Sequence, residues 1–385
     1  MLEATSGCRD SIGNRMVTSA METASTLDQA MLDALRESVA SVLTEQCGST
    51  ELHAFIDGKN ALDKTLWAQA GRLGWLGLGI PEQFGGLGMG AQGLAILHGE
   101  LGRQSAPGPY IATLSAAQTI VETGSEAIRQ AWLPRLASGA VSAAVPATLD
   151  GRGLTRSGAG VSGTLRCLGA ADAACLLAPA DDSWVIVELG GAEVTAAPMW
   201  DRTRDVIDVR LNDAAPLGIL PDAAATRAAL TRAMALAVAA DSAGGARSIT
   251  ERTIAYMKTR EQFGQPIAGF QALKHRAADL ATKLAVADEM VRHAVQRMVA
   301  DEPDADLWAI LAKSEVTEAC VFVTTDCVQL HGGVGFTWDF DPHIFLKRAR
   351  LNEVLIMPNT ALRDQAAAAL AAITASGRSA LELGL

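Results

Sequence analysis

The hydrophobic period of this chain changes twice, and the order of those changes restricts the fold more than any single motif. From about residue 25 to 138, apolar residues recur every three or four positions. In "TLDQAMLDALRESVASVL" the residues Leu27, Met31, Leu35, Val39 and Val42 form a one-sided stripe of helical period. Asp63 stands where it caps the next helix, "KTLWAQAGRLG", and the Gly-rich "IPEQFGGLGMG" separates that helix from "AQGLAILHGELGRQ". From about 139 to 216 short β-branched runs, "ACLLAPA", "SWVIVEL", "EVTAAPM" and "DVIDVRL", lie between Gly, Asp and Pro breaks, which predicts small antiparallel strands. Helical patterns return over 222–260, 270–300 and 304–331, and a fourth begins near 342 with Pro358 interrupting it. Long amphipathic segments joined by short turns predict a bundle. There is no βαβ alternation and no GxGxxG, so a Rossmann fold is disfavoured.

The expected fold class is therefore mainly α with a small β domain. An N-terminal helical domain occupies 25–138, a middle antiparallel β domain 139–216 and a C-terminal four-helix bundle 217–385, after a disordered leader at 1–24 in which Met16 or Met21 is an alternative start. With 385 residues, 49% of them hydrophobic, the chain has material for more than one core. A net charge of −11 argues against general binding to nucleic acid or to an anionic membrane, since both require a basic surface. No apolar run approaches the roughly 18 residues of a membrane span. Six Cys without a CxxC fit free thiols in a reducing cytoplasm, so the expected location is cytoplasmic.

Two short stretches raise chemical questions. "TREQFGQPIAGFQALKH", over 259–275, turns one helical pattern into the next through Phe-Gly-x-Pro. A plain turn needs only Gly or Pro. This one sets a cation (Arg260), an aromatic (Phe263) and an amide (Gln271) around the bend, as if something were held there. The bland alternative is a solvated charge at a helix C-terminus and a core plug. In "QLHGGVGF", Gly332 and Gly333 would let a ligand approach main-chain N–H groups, although glycines also simply end helices. His53, His98, His275, His293 and His343 show no metal spacing and no nearby Cys, so no metal site is expected.

With those residues in view, the chain beyond residue 25 resembles the acyl-CoA dehydrogenase family. Four stretches carry the resemblance, in the family's order: "LGWLGLGIPEQFGGLGMG" (73–90), "HGELGRQSAPGPYIAT" (98–113), "YMKTREQFGQPIAGFQALKHRAAD" (256–279) and "CVQLHGGVGFTWDFDPHIFLKRA" (327–349). The resemblance implies FAD at a subunit interface, an acyl-CoA substrate, an electron-acceptor flavoprotein, and a homotetramer or a heterotetramer with a homologous subunit. It implies that Arg260 faces the cofactor's pyrophosphate and that Phe263 and Gln271 lie beside the cofactor, with Gly264 and Pro266 making the turn. Gln329, Leu330, His331, Gly332 and Gly333 match the run along the adenosine-diphosphate part of FAD. His331 is then no catalytic imidazole, because that place faces the cofactor's far end. The turn Asp201-Arg202-Thr203-Arg204 also resembles a recurrent family turn, with no role to assign.

The family reaction needs a carboxylate at the α-carbon and hydrogen bonds on the thioester carbonyl. Here the resemblance departs from the pattern. In "RARLNEVLIMPNTALRD" the usual Glu position holds Met357, followed by Pro358. The helix position that carries Glu in other members holds Met234. Asp241, about two turns beyond Met234 on the same helical face, is the first remaining candidate base. Its structural alternative is a carboxylate paired with an Arg on a neighbouring helix. Glu353 is the second candidate. The loop that usually binds flavin is reduced to "SAAVPATLDGRGL" (142–154). That loss resembles paired dehydrogenases of two unlike subunits found in steroid side-chain degradation. The expectation is FAD-dependent α,β-dehydrogenation of an acyl-CoA, its acyl group bulky given the Ala-rich bundle; the alternatives are a non-catalytic, cofactor-completing subunit and a flavin oxidase.

Overall fold

A computed structural model describes residues 29–375 and Gly377. The proposed leader and alternative starts lie outside the described residues. Among the described residues six α-helices come first: α1 (Gln29–Gln46), α2 (Ser49–Ile56), α3 (Leu62–Arg72), α4 (Gly90–Arg103), α5 (Tyr110–Thr123) and α6 (Glu126–Ala137). The α1 stripe is turned by about one residue from the expected one: Leu32, Val39 and Leu43 are buried, while Met31 faces solvent. Leu32, Val39 and Leu43 keep the i, i+7, i+11 spacing that holds one helix face against Leu66, Trp75 and Leu97. Asp63 lies inside the first turn of α3 and makes no cap; the Asn60 side chain accepts from Leu62 N–H instead, at 3.2 Å.

Eight strands follow: β1 (Ala143–Pro146), β2 (Thr155–Ser157), β3 (Gly160–Leu168), β4 (Cys175–Ala180), β5 (Ser183–Glu188), β6 (Glu193–Ala196), β7 (Val206–Ala214) and β8 (Pro216–Leu220). They form one sheet in the order β6-β7-β3-β1-β4-β5-β8, with β2 beside β3. The pairings are antiparallel except β1 with β4, which run parallel with Ala143 opposite Cys175. The parallel pair arises because the β2–β3 excursion separates the two strands in sequence, so no hairpin joins them. Alternation sorts the side chains: Trp184 and Ile186 of β5 face the helices, and Val185 and Val187 face the sheet's own core with Ile207 and Val209.

The C-terminal helices are α7 (Ala223–Thr259), α8 (Gln271–Val299), α9 (Ala305–His331), α10 (Pro342–Val354) and α11 (Asn359–Ala375). Asp222 caps α7 by accepting from Ala225 N–H at 2.9 Å. Helix α7 is buried nearly all round, from Thr226 to Met257, and so behaves as a spine packed on both helical regions. It crosses α4 backbone to backbone. A Cβ on Gly102 would stand 2.0 Å from the Asp241 carbonyl oxygen, and one on Gly244 2.0 Å from the Gly99 carbonyl oxygen. Among the described residues no helix is long and apolar enough to cross a membrane.

The crossing yields a prediction of unexpected sign. By propensity, Gly102→Ala would stabilise the helix by about 1 kcal/mol. Because the added carbon meets main chain that cannot yield, we expect a net loss of about 1–3 kcal/mol in denaturant unfolding.

Candidate functional site

Between α7 and α8 the chain forms a miniature β-hairpin, β9 (Glu261–Gln262) against β10 (Gln265–Pro266), with Gln262 opposite Gln265. The two residues at its tip, Phe263 and Gly264, both have positive φ, 53° and 79°. That is the backbone of a two-residue turn with both central residues left-handed, which suits Gly at either position but strains a bulky side chain. Pro266 lies in β10, opposite Glu261, so the turn is made by Phe263-Gly264 and not by Gly264 with Pro266. Phe263 is also 93% exposed. A strained backbone holds a phenyl ring largely in water, its ring contact among the described residues being edge-on to Phe270 with centroids 6.1 Å apart. It is the kind of outlier that points outward, to something the ring meets.

The neighbouring groups are equally free. Arg260, at the C-cap of α7, is exposed, and no carboxylate pairs with it among the described residues. Gln271 begins α8 and touches only His275, at 3.4 Å. Tyr256, one turn before Arg260, stacks on the His331 ring at 4.4 Å, which brings the end of α9 to the base of the hairpin. Gln329 is exposed at that end, whereas Leu330 and His331 are buried. The His331 Nδ1 bonds the Cys327 carbonyl at 2.8 Å, so its imidazole is committed inward. Only the main chain of Leu330 and His331 is left to meet a ligand. Gly332 then adopts φ 67°, ψ −146°, a region essentially restricted to glycine, and a Cβ on Gly332 or Gly333 would meet nothing within 4 Å. This end of the molecule thus combines an open glycine surface, an unneutralised guanidinium, an exposed ring and an amide. These donors fit an extended dianionic cofactor with an aromatic end.

The interior around the expected reacting centre is different. Met234 packs with Ile111, Ala112, Leu355 and Ile356 in one apolar cluster. Ile356 is wholly buried at φ 72°, a strained conformation for a β-branched residue. Main-chain bonds hold it there: its N–H donates to Ala147 O at 2.8 Å and its carbonyl accepts from Leu149 N–H at 2.6 Å. From the other side Lys313, 0% exposed, donates to Glu353 O, Met357 O and Asn359 Oδ1, each at 2.9 Å. Burial lowers the Lys313 ammonium to about 8. The loop from 355 to 358 is therefore pinned between α9 and the end of β1. Beside Met234, a cavity between α4, α5 and α7 lined by His98, Ser115, Ala233 and Ala237 measures about 30 Å³. Ligand pockets run to hundreds of Å³; this one suits a water or two. His98 Nδ1 and Ser115 Oγ, both buried without a protein partner, line it. Burial first, with Arg204 and Arg348 adding, lowers His98 to about 4, so it is neutral.

Asp241 lies in a closed ionic cluster. Arg348 grips both its carboxylate oxygens, Nη2 to Oδ1 at 2.6 Å and Nε to Oδ2 at 3.2 Å. Arg204 Nη2 reaches Oδ2 at 2.6 Å, and Asn352 Nδ2 donates to Oδ2 at 2.9 Å. Burial by itself pushes the Asp241 carboxyl up, but Arg204 and Arg348 outweigh it and hold the group well below the usual carboxylate range. The Asp201–Arg204 turn now has a role. Asp201 Oδ1 accepts from Thr203 N–H and hydroxyl at 2.8 and 2.7 Å, and Thr203 Oγ1 accepts from Arg348 at 2.8 Å. Two buried guanidiniums thus meet two buried carboxylates. This is the structural pairing, with Arg348 from a neighbouring helix and Arg204 from the β region. A carboxylate so engaged is a weak proton acceptor. Glu353 faces the surface, paired with Arg350 at 3.0 Å. In the sequence Arg204 stands out only as part of a recurrent turn without a role, and nothing marks Arg348 as the neighbouring-helix partner of Asp241; Lys313 has one local signal, a single Lys in the apolar run "LWAILAKSEV".

Comparisons with known proteins agree on kinship. The model described as "Acyl-CoA dehydrogenase, N-terminal domain" matches residues 29–140, and "Acyl-CoA dehydrogenase, C-terminal domain" matches 224–371. Acyl-CoA dehydrogenase IpdE2 of Mycolicibacterium smegmatis is 30% identical over 328 residues, 84% of this chain and 94% of that one. Acyl-CoA dehydrogenase FadE34 of Mycobacterium tuberculosis is 32% identical over 77% of this chain, which spans only 41% of that relative. Among solved structures, a variant of the Tcur3481–Tcur3483 steroid ACAD superposes with a TM-score of 0.81 at 26% identity, covering 90% of this chain and 99% of that one. The ChsE4–ChsE5 complex from Mycobacterium tuberculosis gives 0.79 at 25%, covering 90% and 98%.

Three stability measurements test the buried ionic groups. Asp241→Asn should destabilise the protein by about 3–5 kcal/mol, because it strips charge from a buried pair. Wild-type stability should fall as pH drops below about 4, where the unfolded chain takes up a proton on Asp241 and the folded one does not. Lys313→Met removes the buried donor of the Glu353 and Met357 carbonyls, while Asn359 Oδ1 keeps Thr317 at 3.2 Å, and should cost roughly 3 kcal/mol or more.

Proposed function

The chain belongs to the acyl-CoA dehydrogenase family, and from that premise we propose that it serves the FAD-dependent α,β-dehydrogenation of an acyl-CoA thioester as the cofactor-completing subunit of a heteromeric enzyme. One observation carries the reading. The outer face offers Arg260, strained and exposed Phe263, Gln271 and an open Gly332-Gly333 surface, while the interior reaction centre is filled by Met234, Leu355 and Ile356. The cofactor is FAD, which when bound supplies the acceptor for the β-hydride. Arg260 would neutralise its pyrophosphate, Phe263 and Gln271 would lie beside it, and Gly332 and Gly333, lacking side chains, would let it approach the main chain.

The homologous partner subunit supplies the carboxylate that removes the α-proton, since neither Met234 nor Met357 can take one. We assign the assembly a bulky acyl group of steroid side-chain type, supported by the likeness to a steroid ACAD and to IpdE2. Electrons leave to an acceptor flavoprotein. Direct catalysis by this chain is the second reading, and it requires Asp241 to give up two guanidiniums before it takes a proton.

The test is flavin content and anaerobic bleaching by acyl-CoA thioesters of short, branched, aromatic and steroid type. The assembled complex should bleach, and this chain alone should not. Arg260→Ala should lower the flavin content of the complex by about tenfold while assembly persists, the loss of one charge-assisted contact. Turnover by the isolated chain would sink the subunit reading. A complex that takes up no flavin would sink the cofactor assignment.

A further inference from the structure

A second concavity, unrelated to the cofactor face, lies on the other side of the α4–α7 crossing. It is a groove of about 890 Å³ whose floor is α4 and α7 and whose walls are α1 and α8. Leu32, Ile96, Ala240, Ala243, Val291 and Val295 make its lining mainly apolar. None of Arg260, Phe263, Gln271 or the Gln329–Gly333 run borders it. Its depth depends on Gly99. A Cβ there would meet nothing nearer than the Ala240 carbonyl oxygen at 3.9 Å, so a longer side chain would project into the groove without a clash.

Charge in the groove narrows the choice of occupant. Four guanidiniums stand at its rim, but each is already matched: Arg36 with Asp33, Arg103 with Glu251, Arg247 with Asp288 and Arg292 with Glu289. Among the described residues that line the groove, no surplus cation is left to attract a phosphate or a coenzyme A tail. Of the lining's polar side chains that have no hydrogen-bond partner among the described residues, Glu37 and Gln296 are exposed and Gln92 is an amide; the carboxylate set back in the groove is Glu100, its side chain only 13% exposed. Its nearest cation, Arg103, is 3.7 Å away, beyond hydrogen-bond distance, and no donor reaches the carboxylate among the described residues. Burial raises its pKa, the sign of a carboxyl short of partners.

We propose that this groove binds a neutral, bulky, apolar molecule carrying one hydroxyl group, which donates to Glu100. The volume falls within the range of small-molecule sites, and a mainly apolar lining with a few polar groups is the usual composition of such a site. Uncharged ligand and self-neutralised rim are complementary.

Hydroxypyrene, a fluorescent four-ring hydroxyl compound, is a suitable probe, with pyrene as the analogue lacking the hydroxyl. Purified protein should bind hydroxypyrene saturably at one per chain and bind pyrene several-fold more weakly. Gly99→Leu, which improves helix propensity and fills the floor, should weaken hydroxypyrene by at least about tenfold with unfolding temperature retained. Should that variant fold poorly, Ala95→Phe fills the same floor and carries the same expectation. Absence of saturable binding, or unchanged affinity in a folded filling variant, overturns the site. Equal binding of pyrene overturns the role given to Glu100.

Discussion

A carboxylate wrapped by two guanidiniums in the interior holds this molecule together. Asp241 stands in the middle of the long spine helix, Arg204 in the turn before β7, and Arg348 and Asn352 on α10. Arg348 also donates to the Ala106 carbonyl, in the connection between α4 and α5. One cluster therefore joins the first helices, the sheet and the last helices. Desolvating so many charges is unfavourable, and the cluster persists because each ion is met by a counter-ion or hydrogen bond; removing one partner strands the others. The same geometry explains why α4 and α7 approach so closely: Gly102 and Gly244 let their backbones touch beside the cluster.

The cluster also decides where chemistry is available. It engages the Asp241 carboxylate on both oxygens, and the Met234–Ile356 packing leaves a water-sized void beside it. Lys313 secures this state from below by satisfying carbonyls at the end of α10 that would otherwise be orphaned. Two of the residues with left-handed backbone are large and apolar, Ile356 where the interior is sealed and Phe263 where the surface is exposed. The first is held by main-chain bonds to Ala147 and Leu149. The second sits at the tip of a two-residue turn, its ring edge-on to Phe270 and otherwise in solvent.

Much of this was readable in one dimension. The end of α7, the hairpin, the start of α8 and the break at Pro358 fall where Gly and Pro interrupt helical periodicity, because those breaks are local backbone properties. Strands β4 to β7 showed their β-branched runs. β1, a run of Ala-Ala-Val-Pro, did not, and its parallel pairing with β4 depends on chain routing that no local pattern encodes. The α1 stripe was misjudged by one residue, since Met31 and Leu32 are equally apolar and only the position of Leu66 and Trp75 selects between them.

By itself, the amino-acid order determined the family, the helix–sheet–helix succession, the presence of a cation, ring and amide around one tight turn and of a glycine pair after a helix, and the lack of a carboxylate at positions 234 and 357. Each of these is a property of residue type or short-range spacing. Only the tertiary structure decided the state of Asp241, because its partner Arg348 lies 107 residues further along the chain. It alone showed that Leu330 and His331 turn inward, that Lys313 braces the 355–358 loop, and that a neutral groove opens behind α4. Such outcomes are set by which surfaces meet, and burial and charge pairing exist only once they have met.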